Sequence, residues 1–379
     1  MGVSSALGDG CEETFAALLR GEPVLSAPPF ELPFLTVTGL VQGPLDPLPA
    51  SYRSYDTRLT RLALRALSQV TAQVEHARAR HGRSRIGVVV GTSTGGLDAT
   101  EPAYRAYRNT ERHEPSFSLR RAHAFDALAV LLRDLLALSG PAYAVSTACT
   151  SSAKALASGL RLIRAGLCDA VLVAGVDAVC ETTLRGFQAL GVLSERAARP
   201  FSSERDGIHI GEAAALLLLE RSGEGAVCLA AVGESSDAHS MSAPQPDGLG
   251  AAEAMQRALA SAGLDPSQVD FVNAHGTGTV QNDIAESRAI GRAVSSEVAV
   301  VSTKGMTGHT LGAYGTLETL FTALGVLLGE LPPSAGCAPL DTQLGLNVLQ
   351  LPLAKRVQVA LSNALAFGGS NACVVLTAS

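Results

Sequence analysis

Apolar residues along this chain fall into short unbroken runs, separated by longer stretches where they recur every three or four positions. The runs Ile86–Gly91 (IGVVVG), Ala142–Ala148, Ala170–Val176 and Ala213–Leu219 read as strands covered on both faces, because no polar residue alternates through them. Val227–Val232, Val269–Ala274, Val298–Thr303, Val357–Ser362 and Ala372–Leu376 repeat the signal later, the last as a hairpin partner. Helical spacing predicts helices at Glu12–Arg20, Thr60–Arg80, Phe125–Leu138 and Ser151–Ala165, then at Gly250–Ala262, Asp283–Val294 and Thr310–Gly329. Strands alternating with helices define an α/β protein. Two segments share one plan, a strand entering a polar turn and then a small-residue helix: VSTACTSSAKALASGL and VSTKGMTGHTLGAYGTLETL. That repetition predicts a duplicated unit, with halves at 1–222 and 223–379 and no flexible linker between them.

Composition narrows the function. Among 379 residues, 47% are hydrophobic and 17% charged, which excludes a disordered chain. Aromatics are 4% with no Trp, and the net charge is −6, so neither base stacking nor non-specific nucleic-acid binding is expected. No apolar run is long enough for a membrane helix, and the opening MGVSSALGDGCEE lacks the regions of a signal peptide. The seven Cys form no metal-type CxxC pair. The expectation is a cytoplasmic, reduced protein with no metal.

Three positions carry candidate chemistry. Cys149 sits at a strand-to-helix junction, where the helix dipole would lower its pKa and favour the thiolate. Alone, it reads more readily as a buried structural Cys. His275, in NAHGTGT, and His309, in STKGMTGH, each follow an apolar strand, the end at which α/β sites form. A Cys with one His suits a protease or a transferase. A Cys with two His suits carbanion chemistry, since two N–H donors can steady an enolate oxygen.

TACTSS, RPFSSERDGIHIGEAAALLLLE, NAHGTGT, STKGMTGHTLGA and NALAFGGSNA occur in the order and spacing of β-ketoacyl-acyl carrier protein synthases of the KAS I/KAS II type, which the chain resembles over nearly its whole length. The resemblance implies a thiolase fold, a duplicated five-layer αβαβα unit with mixed five-stranded sheets that dimerises. It implies decarboxylative Claisen condensation of malonyl-carrier protein with an enzyme-bound acyl group. Cys149 then resembles the acyl-accepting nucleophile, and His275 and His309 the pair that promotes decarboxylation. Lys304, one of only three lysines among 29 basic residues, resembles the site Lys, and Glu318 a buried supporting Glu. Backbone N–H groups of Cys149 and Phe367 would form the oxyanion hole, with Phe367 as gate. Thr277 and Thr279 match residues that hold the phosphopantetheine arm. No cofactor is implied beyond that carrier-bound arm.

Departures from the family pattern mark specificity. The chain begins almost at the family's first turn, so its opening strand is expected to be missing. Leu365 replaces an aromatic near the gate. Thr94, in GTSTGG, stands where an apolar residue or Gly lines the acyl tunnel, with Phe187 as a further tunnel residue; a hydroxyl there suits a polar or polyunsaturated chain, unless a neighbouring group takes it. YDTRLTRLALRAL and GTSTGGLDATEPAYRAY resemble synthases of bacterial aryl polyene clusters. Carrier proteins are acidic, so Arg53, Arg58, Arg61, Arg120, Arg121 and Arg196 are candidate docking cations. The alternative is a non-catalytic chain-length factor paired with a synthase, which the retained Cys149, His275, Lys304 and His309 argue against. Homodimer and heterodimer stay equally open.

Overall fold

Period-two alternation along each buried strand decides the layering. In the computed structural model, which describes residues 1–112, 117–221 and 225–379, Val88 and Val90 of the strand Ile86–Gly91 enter one apolar cluster while Val89 enters another. The neighbouring strand Ala170–Asp177 divides likewise, Leu172, Ala174 and Val176 on one face against Val171 and Val173 on the other. The outer face is covered by helices Arg58–Ser68, Thr71–His81 and Ala127–Leu135. The inner face packs on Ser151–Arg164 and Tyr314–Leu328, two helices lying between the sheets. On the second sheet Phe271, Ala299, Val301 and Ala360 point inward, whereas Val272, Val300 and Leu361 point out toward Leu249–Ala262 and Val280–Ala293. The outcome is the five-layer αβαβα thiolase fold.

The two sheets have one topology. The first runs Ala142–Val145, Ile86–Gly91, Ala170–Asp177, Ala213–Glu220, Gly2–Ser5; the second runs Ala299–Val301, Phe271–Asn273, Val359–Ala366, Ser370–Ala378, Val227–Ser236. In each, three parallel strands are followed by two antiparallel ones. Among the described residues each sheet has six strands rather than the expected five, because a two-residue piece adds to one edge: Gly8–Asp9 in the first, Asn347–Val348 in the second. The expected junction near residue 223 lies outside the described residues.

Several expectations need correcting. An opening strand is present: Gly2–Ser5 is buried and pairs from Gly2↔Leu216 to Ser5↔Ala213. The Gln69 side chain holds it in register, accepting from Val3 N and donating to Val3 O at 2.9 Å each. The single helix expected at Thr60–Arg80 is two helices, broken at Gln69–Val70. The strand expected to reach Ala148 stops at Val145. Helix Leu97–Thr110 was not legible because none of its residues is buried and Pro102 interrupts it, so no apolar stripe marks it.

The central helices approach closely enough to require glycine. A Cβ on Gly315 would lie 2.3 Å from the backbone N of Ala153 in the facing helix. Gly315→Ala is therefore expected to lower stability by about 3 kcal/mol or more, read as a shifted urea midpoint at unchanged m-value. An unchanged midpoint would show that the helices can slide apart freely.

Candidate active site

Cys149 is presented on a strained turn. The strand ends at Val145, Ala148 takes a left-handed conformation at φ +52°, and the helix Ser151–Arg164 begins two residues beyond the Cys. A non-glycine residue held there costs on the order of 1 kcal/mol, and local hydroxyls hold it. Thr147 N–H donates to Ser151 Oγ at 2.9 Å, and Ser151 Oγ–H donates back to the Ala148 carbonyl. The thiol is buried, at 8% exposure. Burial pushes its pKa up to about 11, although Lys304 and the N–H groups of Phe367 and Cys149 pull it down. This runs against the expected thiolate: desolvation outweighs the Lys304 charge and the backbone N–H groups, which favours the thiol as the resting form.

The two imidazoles face that sulfur in a fixed protonation pattern. His309 Nε2 lies 3.1 Å from Cys149 Sγ, and the ring centroids of His275 and His309 are 5.3 Å apart, edge to face. Leu311 N–H donates to His309 Nδ1 at 3.2 Å, and Lys304 Nζ sits 3.3 Å from His275 Nδ1. A backbone amide can only donate, as can the Lys304 ammonium while it keeps its charge below about pH 7, so in that form each Nδ1 accepts and each neutral ring carries its proton on Nε2. Burial, followed by the Lys304 charge, holds both pKa values well below the ordinary imidazole range. Both rings are thus neutral N–H donors near pH 7.

Beneath them lies a buried polar network. Lys304 is fully buried, donates to the His275 carbonyl and stands 3.3 Å from the Tyr314 ring centroid. Burial lowers its pKa to about 7, against the upward pull of Glu318 and Glu286. Glu318 accepts from Asn273 at 2.8 Å and from Thr303. Glu286, Asp283 and Tyr314 were missed. Glu286 accepts from the N–H groups of His275 and Gly276 at 2.7 Å each. Asp283 accepts from those of Thr277 and Gly278 at 3.1 and 3.2 Å, and Tyr314 Oη–H donates to the Ala274 carbonyl at 2.9 Å. The signal was available: Asp283 and Glu286 stand three residues apart on the helix that follows NAHGTGT, one face toward that loop.

A cavity of about 460 Å³ joins these groups. Cys149, His275 and His309 line it, with Phe187, Leu365, Phe367, Thr277 and Thr279. The Phe187 and Phe367 rings are 5.8 Å apart, and Thr277 and Thr279 share a hydroxyl bond of 2.9 Å. Thr94 is not among the lining residues. Its hydroxyl donates to Asp177 at 2.6 Å, and Asp177 also binds Thr92, Ser93 and the Gly312 N–H. The Thr94 hydroxyl is thus committed to a carboxylate. Thr94→Val should cost about 1–3 kcal/mol in a thermal or urea melt while leaving acyl-chain preference unchanged; altered chain preference at full stability would return Thr94 to the tunnel.

Most of the candidate docking arginines are already paired. Arg58 grips the fully buried Glu212 and is an internal ion-pair partner rather than a free cation. Arg61 binds Asp56, Arg120 binds Asp126, and Arg121 donates to Ser54 while lying over Tyr55. Arg53 is exposed. Arg196 is exposed as well and pairs at 3.2 Å with Asp206, a residue of the cavity wall.

Cys149 Sγ and one nitrogen of each His lie within 4.8 Å of one another, close to a three-ligand metal arrangement. The surroundings oppose that use. A metal on Nε2 needs the proton on Nδ1, donating to an acceptor; here both Nδ1 atoms face donors. The same wiring suits an oxyanion, which accepts from two Nε2–H groups.

Two β-ketoacyl synthase family models match the chain, the N-terminal domain over residues 49–224 and the C-terminal domain over 226–338. Nodulation protein E of Rhizobium meliloti is 37% identical over 300 residues, 76% of this chain and 74% of the relative. The 3-oxoacyl-[acyl-carrier-protein] synthase 2 of Vibrio cholerae is 34% identical over 313 residues, 77% of this chain and 75% of the relative. Among solved structures, the complex of a ketosynthase with its chain length factor from Xenorhabdus doucetiae matches at a TM-score of 0.92 and 35% identity, covering 100% of this chain and 96% of the other. Sequence, fold and the Cys–His–His geometry agree, and the chain belongs to the β-ketoacyl synthase family.

Proposed function

We propose that this chain is the catalytic condensing subunit of a carrier-protein-dependent system, extending an acyl chain by two carbons from malonyl-carrier protein. The observation that carries this is the pair of imidazoles fixed as Nε2–H donors on one cavity with the Cys149 thiol. In the first half-reaction the sulfur attacks the acyl thioester, and the backbone N–H groups of Cys149 and Phe367 receive the tetrahedral oxyanion. The carrier thiolate leaves and takes up the proton that Cys149 gives up. In the second, malonyl-carrier protein loses carbon dioxide, and the electron pair moves to an enolate whose oxygen accepts from His275 and His309. The enolate carbon attacks the acyl-Cys149 carbonyl, the cysteine thiolate is expelled and takes one proton from solvent, and a β-ketoacyl thioester results. A dry cavity keeps the enolate from being protonated first.

Thr277 and Thr279 would hold the phosphopantetheine arm, Phe187 and Leu365 the acyl chain, and Phe367 would gate entry. Arg196 is the docking cation best placed for an acidic carrier protein, because its partner Asp206 borders the cavity. The two halves divide at 222/223, and no cofactor beyond the carrier's arm is needed. We place the protein in the cytoplasm, with a second thiolase-type subunit as dimer partner. The similarity to ketosynthases solved with chain length factors supports a heterodimer, and the segments YDTRLTRLALRAL and GTSTGGLDATEPAYRAY are the ground for a polyene, aryl polyene in kind, as its product. Intact-protein mass spectrometry tests the core reading: acyl-carrier protein should leave an acyl adduct on the enzyme, and malonyl-carrier protein should discharge it as a product two carbons longer. A folded protein that stays unmodified, alone and with a chain length factor, would overturn it.

A further inference from the structure

The backbone of His309 is gripped from one side, but its ring is aimed by the turn that follows. Its N–H donates to the His209 carbonyl at 2.8 Å, and its carbonyl accepts from Gly211 N–H at 3.0 Å. Those bonds fix the main chain and leave the imidazole free to rotate. The ring is oriented by Leu311 N–H, which donates to Nδ1 at 3.2 Å. Leu311 makes that bond from a left-handed conformation, φ +56°, which a non-glycine residue keeps only when its surroundings hold it there.

The hold comes from the next residue. Gly312 N–H donates to Asp177 Oδ2 at 2.5 Å and faces Ser93 Oγ at 3.1 Å. No side chain fits at that contact, since a Cβ on Gly312 would lie 2.7 Å from Asp177 Oδ2 and 2.5 Å from Ser93 N. Asp177 is fully buried and also accepts from the N–H groups of Ser93 and Thr94 at 3.0 Å each. The hydroxyls of Thr92, Ser93 and Thr94 donate to it at 2.5, 2.9 and 2.6 Å. Only an ionised carboxylate accepts at both oxygens; an amide would turn an NH₂ group toward one set of these donors.

The placement gives the contact a purpose. Asp177 closes the strand Ala170–Asp177, and Thr92 follows Ile86–Gly91 in the same sheet, the sheet whose strand Ala142–Val145 leads to Cys149. His309 instead follows Ala299–Val301 of the second sheet. The carboxylate keys the turn that orients His309 to the sheet that carries the thiol. We infer that Asp177 is a positioning residue for His309, acting through Gly312 and Leu311 to keep Nδ1 an acceptor and Nε2–H directed into the cavity. The inference rests on the synthase reading above and deepens it, naming a residue outside the cavity lining on which one of the two enolate donors depends. With the tie cut, the ring samples the Nδ1–H tautomer, whose bare Nε2 repels an enolate oxygen.

The test reads imidazole nitrogen NMR shifts and malonyl decarboxylation on the same enzyme, with the His309 signals identified by their loss in His309→Asn. Wild type should show His309 protonated on Nε2 and bare on Nδ1. Two variants cut the tie differently: Asp177→Asn removes the charge, and Gly312→Ala pushes the turn away from an intact carboxylate. In each, the His309 signals should move toward a mixture of tautomers while those of His275, set by Lys304, stay in place. The kcat for decarboxylation should fall by about 10-fold or more, toward the 10²–10³-fold of losing one donor outright. KM for malonyl-carrier protein should hold, because the enolate charge develops only in the transition state. Wild-type His309 protonated on Nδ1 would overturn the inference without any variant. So would a folded variant with wild-type His309 signals and rate, or a parallel shift of both imidazoles, the mark of general structural damage. No carbon dioxide release from the wild type would instead overturn the synthase reading.

Discussion

Replacing Cys149 by alanine is expected to abolish chain extension while leaving malonyl decarboxylation measurable. In the proposed scheme the two half-reactions use different groups. Acyl transfer requires the sulfur, and losing a covalent nucleophile should cost at least about 10⁴-fold in turnover. Enolate formation requires the Nε2–H groups of His275 and His309, and their orientation is set by Leu311 and Lys304, not by the thiol. Released carbon dioxide and product mass, followed on the same sample, separate the steps. Extension surviving in Cys149→Ala would place the nucleophile elsewhere. Decarboxylation falling in parallel with extension would mean that the sulfur also organises the imidazoles.

The His pair gives the complementary result. Removing one preorganised donor from a developing oxyanion costs about 10²–10³-fold, so His275→Ala should slow decarboxylation by that factor while still accumulating acyl-Cys149. The pH dependence follows from the same groups. Both imidazoles are held well below their ordinary pKa, so they stay neutral as the pH falls through the region where a free imidazole would charge. The acid side of the decarboxylation profile should therefore show no step near 6.5. Lys304 is depressed to about 7, so its cation is present below that pH and lost above it. The rate should decline as the pH rises past about 7, as the ammonium that donates to His275 Nδ1 loses its charge. Lys304→Met should remove that alkaline limb and lower the plateau. A wild-type step near 6.5 would show that the rings titrate normally and that the neutral-donor scheme is wrong.

Family membership and the Cys149, His275, Lys304 and His309 set were legible because their motifs are contiguous: each reactive residue sits in a short run that closes a strand. Glu318 was legible through the family pattern in GTLETL. Glu286, Asp283 and Tyr314 were not picked out, since an acid on a helix and a Tyr at a helix start look ordinary until the NAHGTGT loop folds onto them. Docking arginines were over-read for the opposite reason. Charge is visible in a sequence, but the partner that neutralises it often lies far along the chain, as Glu212 does from Arg58 at a separation of 154 residues.

By itself, then, the sequence determined the α/β class, the duplicated strand-turn-helix plan and the candidate reacting groups, because these rest on local periodicity and on residues adjacent in the chain. Only the tertiary structure decided their chemical state. Burial made Cys149 a thiol and the imidazoles neutral, and donors brought in by Leu311 and Lys304 chose which nitrogen carries each proton. It also committed Thr94 to Asp177. Desolvation and hydrogen-bond pairing depend on which distant segments meet, and that is set only when the two sheets close around the central helices.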